Sequence, residues 1–147
     1  MQTRVVKIDP LNIDENAIQE AAALIASGEL VAFPTETVYG LGADALHPEA
    51  SMKIYAAKGR PSDNPLIVHI CKFEELESIA KLVPPQARKL ADAFWPGPLT
   101  MIVWKNDKVP YETTGGMDTV AIRMPNHPIA LKLIEQSGCL IAAPSAN

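Results

Sequence analysis

Three short apolar segments of the sequence each end at a proline, and this pattern limits the possible folds more than any other feature. Proline lacks a backbone N–H and cannot continue a central strand. Each segment is therefore predicted to be a short buried strand that leaves its sheet into a polar loop. The segments are residues 30–33, 119–124 and 139–143, followed by Pro34, Pro125 and Pro144.

Helical patterns separate these strands. Residues 14–27 place apolar side chains on one helical face before Gly28, and a second helix opens at Pro48 and ends at Lys58-Gly59-Arg60-Pro61. The alternation predicts an α/β fold, a sheet of mixed strand direction flanked by helices. Further strands are predicted at residues 4–8, 65–70 and 99–104, and further helices at 73–82, 85–94 and 129–136.

Nucleotide-binding folds with glycine-rich fingerprints are not indicated. Gly40-Leu41-Gly42 is too short for a Rossmann fingerprint, and the chain contains no GxxxxGK[ST] motif of a P-loop. The segment 35–42 is predicted to be a loop that leaves the strand 30–33. Any bound ATP must therefore have its phosphates held by side-chain cations.

Composition limits the class of protein. A chain of 147 residues with 48% hydrophobic residues can bury the core of one domain, residues 1–147. The formal charge of −4 argues against binding of nucleic acid by a broadly basic face, so any RNA contact is expected to be local or transient. Cys71 and Cys139 lack a CxxC partner, and no apolar run is long enough to span a bilayer. These features predict a cytoplasmic protein without a membrane partner.

The polar loops after Phe33, Ile70, Met124 and Ala143 are candidates for a binding site. Ligands of open α/β sheets collect at the carboxyl ends of strands. If these strands run in the same direction, their loops converge on one crevice.

Lys58 and Arg60 are the candidate phosphate ligands, because an ammonium and a guanidinium both bind phosphate oxygens. The helix dipole also favours cations at a helix C-terminus, so charge alone favours a structural role. Asn64, Ser145 and Asn147 add hydroxyl and amide groups in nearby polar loops, which serve either as ligands of phosphate and of hydrated Mg²⁺ or as turn-forming residues.

His69 and Arg123 are polar residues at the ends of apolar strands. The three histidines show no metal-ligand spacing, so no metal held by the protein is predicted. A cation on an apolar strand needs a partner, and either a structural carboxylate or an anionic ligand would satisfy Arg123.

Taken together, these motifs resemble the YrdC-like family of threonylcarbamoyl-AMP synthases. The resemblance runs from about residue 13 to residue 147, and the family's KxR and SxN pairs correspond to Lys58 with Arg60 and Ser145 with Asn147. The matching motifs are Pro34-Thr35-Glu36-Thr37-Val38-Tyr39-Gly40-Leu41-Gly42, Lys58-Gly59-Arg60-Pro61, Asn64-Pro65-Leu66, Trp95-Pro96-Gly97-Pro98-Leu99-Thr100, Arg123-Met124-Pro125 and Pro144-Ser145-Ala146-Asn147.

The resemblance implies the YrdC-like fold, a twisted open mixed α/β sheet. It also implies an L-threonylcarbamoyladenylate synthase that uses ATP with Mg²⁺, L-threonine and bicarbonate. It also implies that partner proteins pass the threonylcarbamoyl group to tRNA. By resemblance, ATP and its phosphates are assigned to Lys58, Arg60, Asn64, Thr119, Ser145 and Asn147, of which Lys58, Arg60, Ser145 and Asn147 are the catalytic set. Threonine is likewise assigned to Thr35, Thr37, His69, Arg123 and Ala143.

Family members continue for several dozen residues beyond the SxN motif, so residues 1–147 are expected to lack the C-terminal part of the domain. Two alternatives stay open from the sequence. One is a noncatalytic RNA-binding module of the same fold. The other is a carbamoyl-transfer domain related to hydrogenase maturation proteins.

Overall fold

The computed structural model describes residues 2–147, which form a mixed six-stranded sheet with helices along it. The strands are β1 Val31–Pro34, β2 Tyr39–Asp44, β3 Ile67–His69, β4 Thr100–Trp104, β5 Thr119–Arg123 and β6 Ile141–Ala143. The helices are α1 Glu15–Ala26, α2 Pro48–Lys58, α3 Phe73–Ile79, α4 Pro85–Phe94, α5 Tyr111–Thr114 and α6 Pro128–Ser137.

The strand order is β1-β2-β6-β3-β5-β4, and only β3 and β5 are paired in parallel. The predicted open mixed α/β sheet with flanking helices is thus confirmed. Among residues 2–147, no helix combines the length and the apolar character needed to cross a membrane.

Helix boundaries follow local chemistry. The side chain of Asp14 accepts hydrogen bonds from the backbone N–H groups of residues 16 and 17, which caps α1. At the end of α2, Gly59 adopts φ 61°, a left-handed conformation that glycine reaches at low cost. The KGRP segment therefore turns away from α2 where the sequence predicts.

The two faces of the sheet carry different cores. Val68 of β3, Ile122 of β5 and Ala142 of β6 belong to one buried cluster, which also includes Ile54 of α2. Ile141 of β6, next to Ala142, belongs to a second cluster with residues of α1, α6 and β1. Alternating side chains of a strand point to opposite faces, so β6 separates the two clusters.

Two sequence predictions are wrong. Residues 4–8 form no strand, and residues 39–42, predicted to be loop, belong to strand β2. The condition that the strands before the four polar loops run in the same direction is not met, because β6 pairs antiparallel with β3. Since β1 pairs antiparallel with β2 and β2 antiparallel with β6, β1 and β6 run opposite to β3 and β5.

The β1–β2 hairpin folds back across one face of the sheet. In a flat sheet with this order, β1 and β3 would be separated by roughly 14 Å, at about 4.8 Å per strand. The ring centroids of Phe33 on β1 and His69 on β3 are nevertheless 5.7 Å apart in an edge-to-face contact. The hairpin loop is therefore brought over β3 and β5.

Glycines in β2 permit this close approach. A Cβ atom at Gly42 would lie 2.7 Å from Ile141 Cγ2 and 2.8 Å from Phe33 Cε1, and a Cβ at Gly40 would lie 3.3 Å from the Cβ of Ala143. The predicted loop residues Gly40 and Gly42 thus allow a strand to pack directly against β6.

Candidate functional site

Four predicted site residues lie on the same face of the sheet. In β3 and β5, Ile67 is opposite Ala121 and His69 is opposite Arg123, while β6 places Ala143 opposite Ile67. Side chains alternate along a strand, so Thr119, Arg123, His69 and Ala143 share one face, which is the face crossed by the β1–β2 hairpin. Regular strand geometry alone brings these residues into one surface.

Arg123 and His69 lie where β5 and β3 end. This end of the surface is called the inner end. Arg123 is 8% exposed and His69 is 4% exposed. Arg123 Nε donates to the Gly97 carbonyl oxygen at 3.2 Å, and Nη1 lies 3.4 Å from Thr37 Oγ1. Arg123 Nη2 also forms an ion pair with Glu36. Of the two partners left open by the sequence, a structural carboxylate is therefore present.

His69 is held as a neutral imidazole. Burial, and secondarily the positive charge of Arg123, lower its pKa to about 4. Its Nδ1 lies 3.0 Å from the Ile67 carbonyl oxygen and 3.2 Å from that of Ile141. Because both neighbours are acceptors, Nδ1 carries the proton, which leaves Nε2 as an acceptor.

The loop after β1 supplies Thr35 and Thr37, but the two hydroxyls have different surroundings. Thr35 Oγ1 donates to the Val38 carbonyl oxygen at 2.6 Å and accepts from the backbone N–H groups of Thr37 and Val38 at 3.2 Å. Thr37 Oγ1 lies 3.1 Å from Thr35 Oγ1 and also accepts from Arg123 Nη1 at 3.4 Å. The local geometry gives Thr35 a role in shaping the turn and leaves Thr37 at the site.

Lys58 and Ser145 meet at the opposite end of the surface, near the beginning of β3. This end is called the outer end. Lys58 Nζ donates to the Ser145 carbonyl oxygen at 2.6 Å, and Ser145 Oγ donates to Asn147 Oδ1 at 2.5 Å. Lys58 is only partly buried, and Asn147 is exposed. An ammonium, a hydroxyl and an amide thus lie close together and open to solvent.

Arg60 is oriented differently from Lys58. Its Nε donates to the Asn64 carbonyl oxygen at 3.3 Å and its Nη2 to the Pro65 carbonyl oxygen at 2.9 Å. Asn64 is itself exposed and precedes β3. Arg60 and Asn64 therefore lie at the beginning of β3, where the guanidinium bonds to the backbone of its own loop.

The predicted residues separate into two groups along the strands. Thr119 begins β5 and Arg123 ends it, a separation of roughly 13 Å at about 3.3 Å per residue. Ile67 and Ala121 lie between the groups and are both partly exposed, and Ala143 pairs with Ile67 on the same face. The residues assigned to threonine gather mainly at the inner end, and those assigned to ATP gather at the outer end.

Glu36 is the site residue that the sequence did not single out. It lies within the quoted motif beside Thr37, and its Oε2 accepts from the Asn126 backbone N–H at 2.8 Å. The sequence does indicate that such a residue exists, because a buried arginine such as Arg123 needs a carboxylate partner. Sequence alone does not indicate which carboxylate reaches it.

No metal site is apparent in the part of the chain that the structure describes. Within residues 2–147, no three His, Cys, Asp or Glu side chains are grouped to hold an ion. The outer group instead offers neutral oxygen donors, the Ser145 hydroxyl and the Asn147 amide. Such oxygens are compatible with Mg²⁺ that arrives with a nucleotide and keeps part of its water shell.

The chain resembles known proteins over most of its length. A family model, Sua5/YciO/YrdC, described as "Telomere recombination", matches residues 23–147. Threonylcarbamoyl-AMP synthase of Pyrococcus abyssi is 62% identical over 135 residues, which are 92% of this chain and 40% of that protein. The synthase of Bacillus subtilis is 56% identical over 140 residues, which are 95% of this chain and 40% of the relative.

Solved structures agree with these matches. The crystal structure of P. abyssi Sua5 complexed with L-threonine has a TM-score of 0.91 and 61% identity, and the match covers 92% of this chain and 40% of that one. This similarity confirms the predicted YrdC-like fold. The chain spans about 40% of the length of these relatives. From the family match and the shared fold together, the chain belongs to the Sua5/YciO/YrdC family.

Proposed function

We propose that this chain takes part in the synthesis of threonylcarbamoyl-AMP from L-threonine, bicarbonate and ATP, with release of pyrophosphate. The observation that carries the proposal is the shared sheet face, with Arg123 and His69 at one end and Lys58 with Ser145 at the other. Two relatives at 62% and 56% identity are named for this activity, and the related P. abyssi structure is a complex with L-threonine.

The inner end suits an amino acid. The guanidinium of Arg123 attracts a carboxylate, while Thr37 Oγ1 and the free Nε2 of His69 accept hydrogen bonds from ammonium or hydroxyl groups. An apolar amino acid has no side-chain hydroxyl, so one of these acceptors would remain unpaired in its complex. The site therefore favours threonine over an apolar amino acid.

The outer end suits the nucleotide. Lys58 supplies a positive charge to phosphate oxygens, and Ser145 and Asn147 supply neutral donors or acceptors beside it. Arg60 and Asn64 flank this end, and Thr119 begins β5 there. Mg²⁺, proposed to bind with ATP, would neutralise phosphate charge beside the oxygens of Ser145 and Asn147.

The proposed chemistry needs no covalent nucleophile from the protein. The threonine amine forms a C–N bond to the carbon of bicarbonate, and water leaves to give N-carboxy-threonine. A carbamate oxygen of this product attacks the α-phosphorus of ATP. The bond from the α-phosphorus to the bridging oxygen breaks, and pyrophosphate leaves with that oxygen. Placed cations and donors stabilise the charge that grows on phosphate oxygens, which is the role proposed for Lys58 and Arg60.

We place this activity in the cytoplasm, upstream of proteins that transfer the threonylcarbamoyl group to tRNA. Contact with tRNA itself is proposed to be transient, because the formal charge of the chain is −4.

The test is mass spectrometry of a reaction that contains the chain, ATP, MgCl₂, L-threonine and bicarbonate. The expected product is threonylcarbamoyl-AMP, which should be absent when threonine, bicarbonate or ATP is omitted. Lys58→Ala should reduce the product, whereas Lys89→Ala, at an exposed position on α4, should not. Product formed from carbamoyl phosphate instead, or RNA binding that weakens steeply with salt in the absence of ATP binding, would contradict the proposal.

A further inference from the structure

We propose that Glu36 is a positioning residue of the amino acid end of the site. Its carboxylate holds Arg123, beside Thr37, in the orientation that receives the substrate carboxylate. This inference rests on the proposed function, because it names the residue that prepares the threonine subsite.

Glu36 joins two separate parts of the chain. One carboxylate oxygen pairs with Arg123 Nη2, and the other accepts from the Asn126 backbone N–H at 2.8 Å. Arg123 ends β5, and Asn126 lies in the loop that follows. A single side chain therefore fastens the β1–β2 loop to both the end of β5 and the segment beyond it.

The ion pair is largely shielded from water. The side chain of Arg123 is 10% exposed and that of Glu36 is 22% exposed. A guanidinium at this depth is destabilising without a counter-charge. Glu36 supplies that counter-charge in the free protein, so the Arg123 side chain is held in place before substrate arrives.

The contacts also determine which edge of the Arg123 guanidinium is available to the substrate carboxylate. Nε is bonded to the Gly97 carbonyl oxygen, and Nη2 is paired with Glu36. Nη1 makes only a long contact of 3.4 Å with Thr37 Oγ1. The available edge is therefore the one beside Thr37, which is the residue next to Glu36 in sequence.

This arrangement indicates that the Glu36 carboxylate stays in place when the substrate binds and is not displaced by the substrate carboxylate. Displacement of Glu36 would remove the acceptor of the Asn126 N–H as well as the partner of Arg123. The substrate carboxylate is therefore expected to bind at Nη1 while Glu36 remains on Nη2.

The experiment is calorimetric titration of the chain with L-threonine, and separately with ATP and MgCl₂, for wild type, Glu36→Ala and Glu36→Gln. Glu36→Ala should weaken threonine binding at least 10-fold and change ATP binding less than 2-fold. Glu36→Gln retains one amide oxygen as acceptor and should fall between wild type and Glu36→Ala. The matched control, Glu77→Ala, removes an exposed carboxylate on α3 and should leave both affinities unchanged.

Each other outcome has a definite meaning. Tighter threonine binding by Glu36→Ala would show that Glu36 competes with substrate, and unchanged binding would show that it has no role; either result overturns the inference alone. Equal losses for threonine and ATP would indicate general loosening of the fold and also overturn it. If Glu36→Ala does not fold, Glu36→Gln decides between these outcomes. Wild-type protein that binds no threonine would overturn the proposed function and this inference with it.

Discussion

Lys58 Nζ donates a 2.6 Å hydrogen bond to the Ser145 carbonyl oxygen, which links the end of α2 to the loop that leaves β6. The two residues are far apart in sequence, and each belongs to a different motif of the resemblance. Their contact places an ammonium group beside the Ser145 hydroxyl and the Asn147 amide. The two halves of the proposed nucleotide site are therefore joined in the free protein.

Replacement of Lys58 by alanine is expected to weaken ATP binding by roughly 10- to 100-fold. A hydrogen bond to a charged group contributes about 1.5–3 kcal/mol, and about 1.4 kcal/mol corresponds to a tenfold change in Kd. The chain should stay folded, because Lys58 lies at the end of α2 and is only partly buried. Titration with ATP and MgCl₂ measures the effect, with Lys89→Ala as the matched control. Equal affinities in the two variants would remove Lys58 from the nucleotide site.

Replacement of Gly42 by alanine is expected to lower the free energy of unfolding by about 1–3 kcal/mol, the usual range for overpacking. The added Cβ would lie 2.7 Å from Ile141 Cγ2 and 2.8 Å from Phe33 Cε1. Gly40→Ala should cost less, because the nearest atoms to its added Cβ, Phe33 Cζ and the Ala143 Cβ, lie at 3.2 and 3.3 Å. Urea unfolding of both variants gives the comparison. A larger loss for Gly40→Ala would mean that the hairpin does not pack on β6 through Gly42.

The sequence predicted the elements whose boundaries depend on local chemistry. Proline ends the apolar segments before Pro125 and Pro144 close to the observed ends of β5 and β6, and Gly59 ends α2 as expected. Lys58 at the end of α2 and Ser145 after β6 also lie where the sequence predicts. In each case the deciding interaction lies within a few residues, where backbone sterics and missing N–H groups are visible from the sequence.

The errors arise where a distant partner decides the structure. Residues 4–8 have a strand-like composition, but Arg4 pairs with Glu20 of α1 and the segment has no strand partner. Gly40 and Gly42 lower the intrinsic strand preference of β2, yet their lack of a side chain is what permits packing on β6. Glu36 was missed for the same reason, because its partner Arg123 is distant in sequence and is brought close only by the bent hairpin.

Both cysteine thiols are expected to react slowly with iodoacetamide. Burial, with a secondary contribution from Glu75, raises the pKa of Cys71 to about 12, and burial with a secondary contribution from Asp44 raises that of Cys139 to about 11. Only the thiolate is an effective nucleophile. At pH 8 the alkylation rate of the folded chain should be at least 10-fold below that of the chain unfolded in urea. Similar rates in the two states would show that the thiols are not shielded as described.

The pH dependence of stability should report the burial of His69. Its folded-state pKa of about 4 lies below the value of about 6.5 expected in the unfolded chain. Between these values the unfolded chain binds more protons, so the free energy of unfolding falls as the pH falls from 6.5 to 4. The full contribution is present above pH 6.5 and amounts to roughly 3 kcal/mol over this window.

His69→Gln removes the titrating group while its amide N–H can still donate to the carbonyl oxygens of Ile67 and Ile141. Urea unfolding of wild type and variant at several pH values separates this contribution from that of the carboxylates, which titrate in both proteins. The wild-type curve should be steeper between pH 6.5 and 4, by up to about 1.4 kcal/mol per pH unit. Parallel curves would mean that His69 is protonated as readily in the folded protein as in the unfolded chain. An imidazolium in the folded state would also lack the acceptor Nε2 that the proposed threonine site requires.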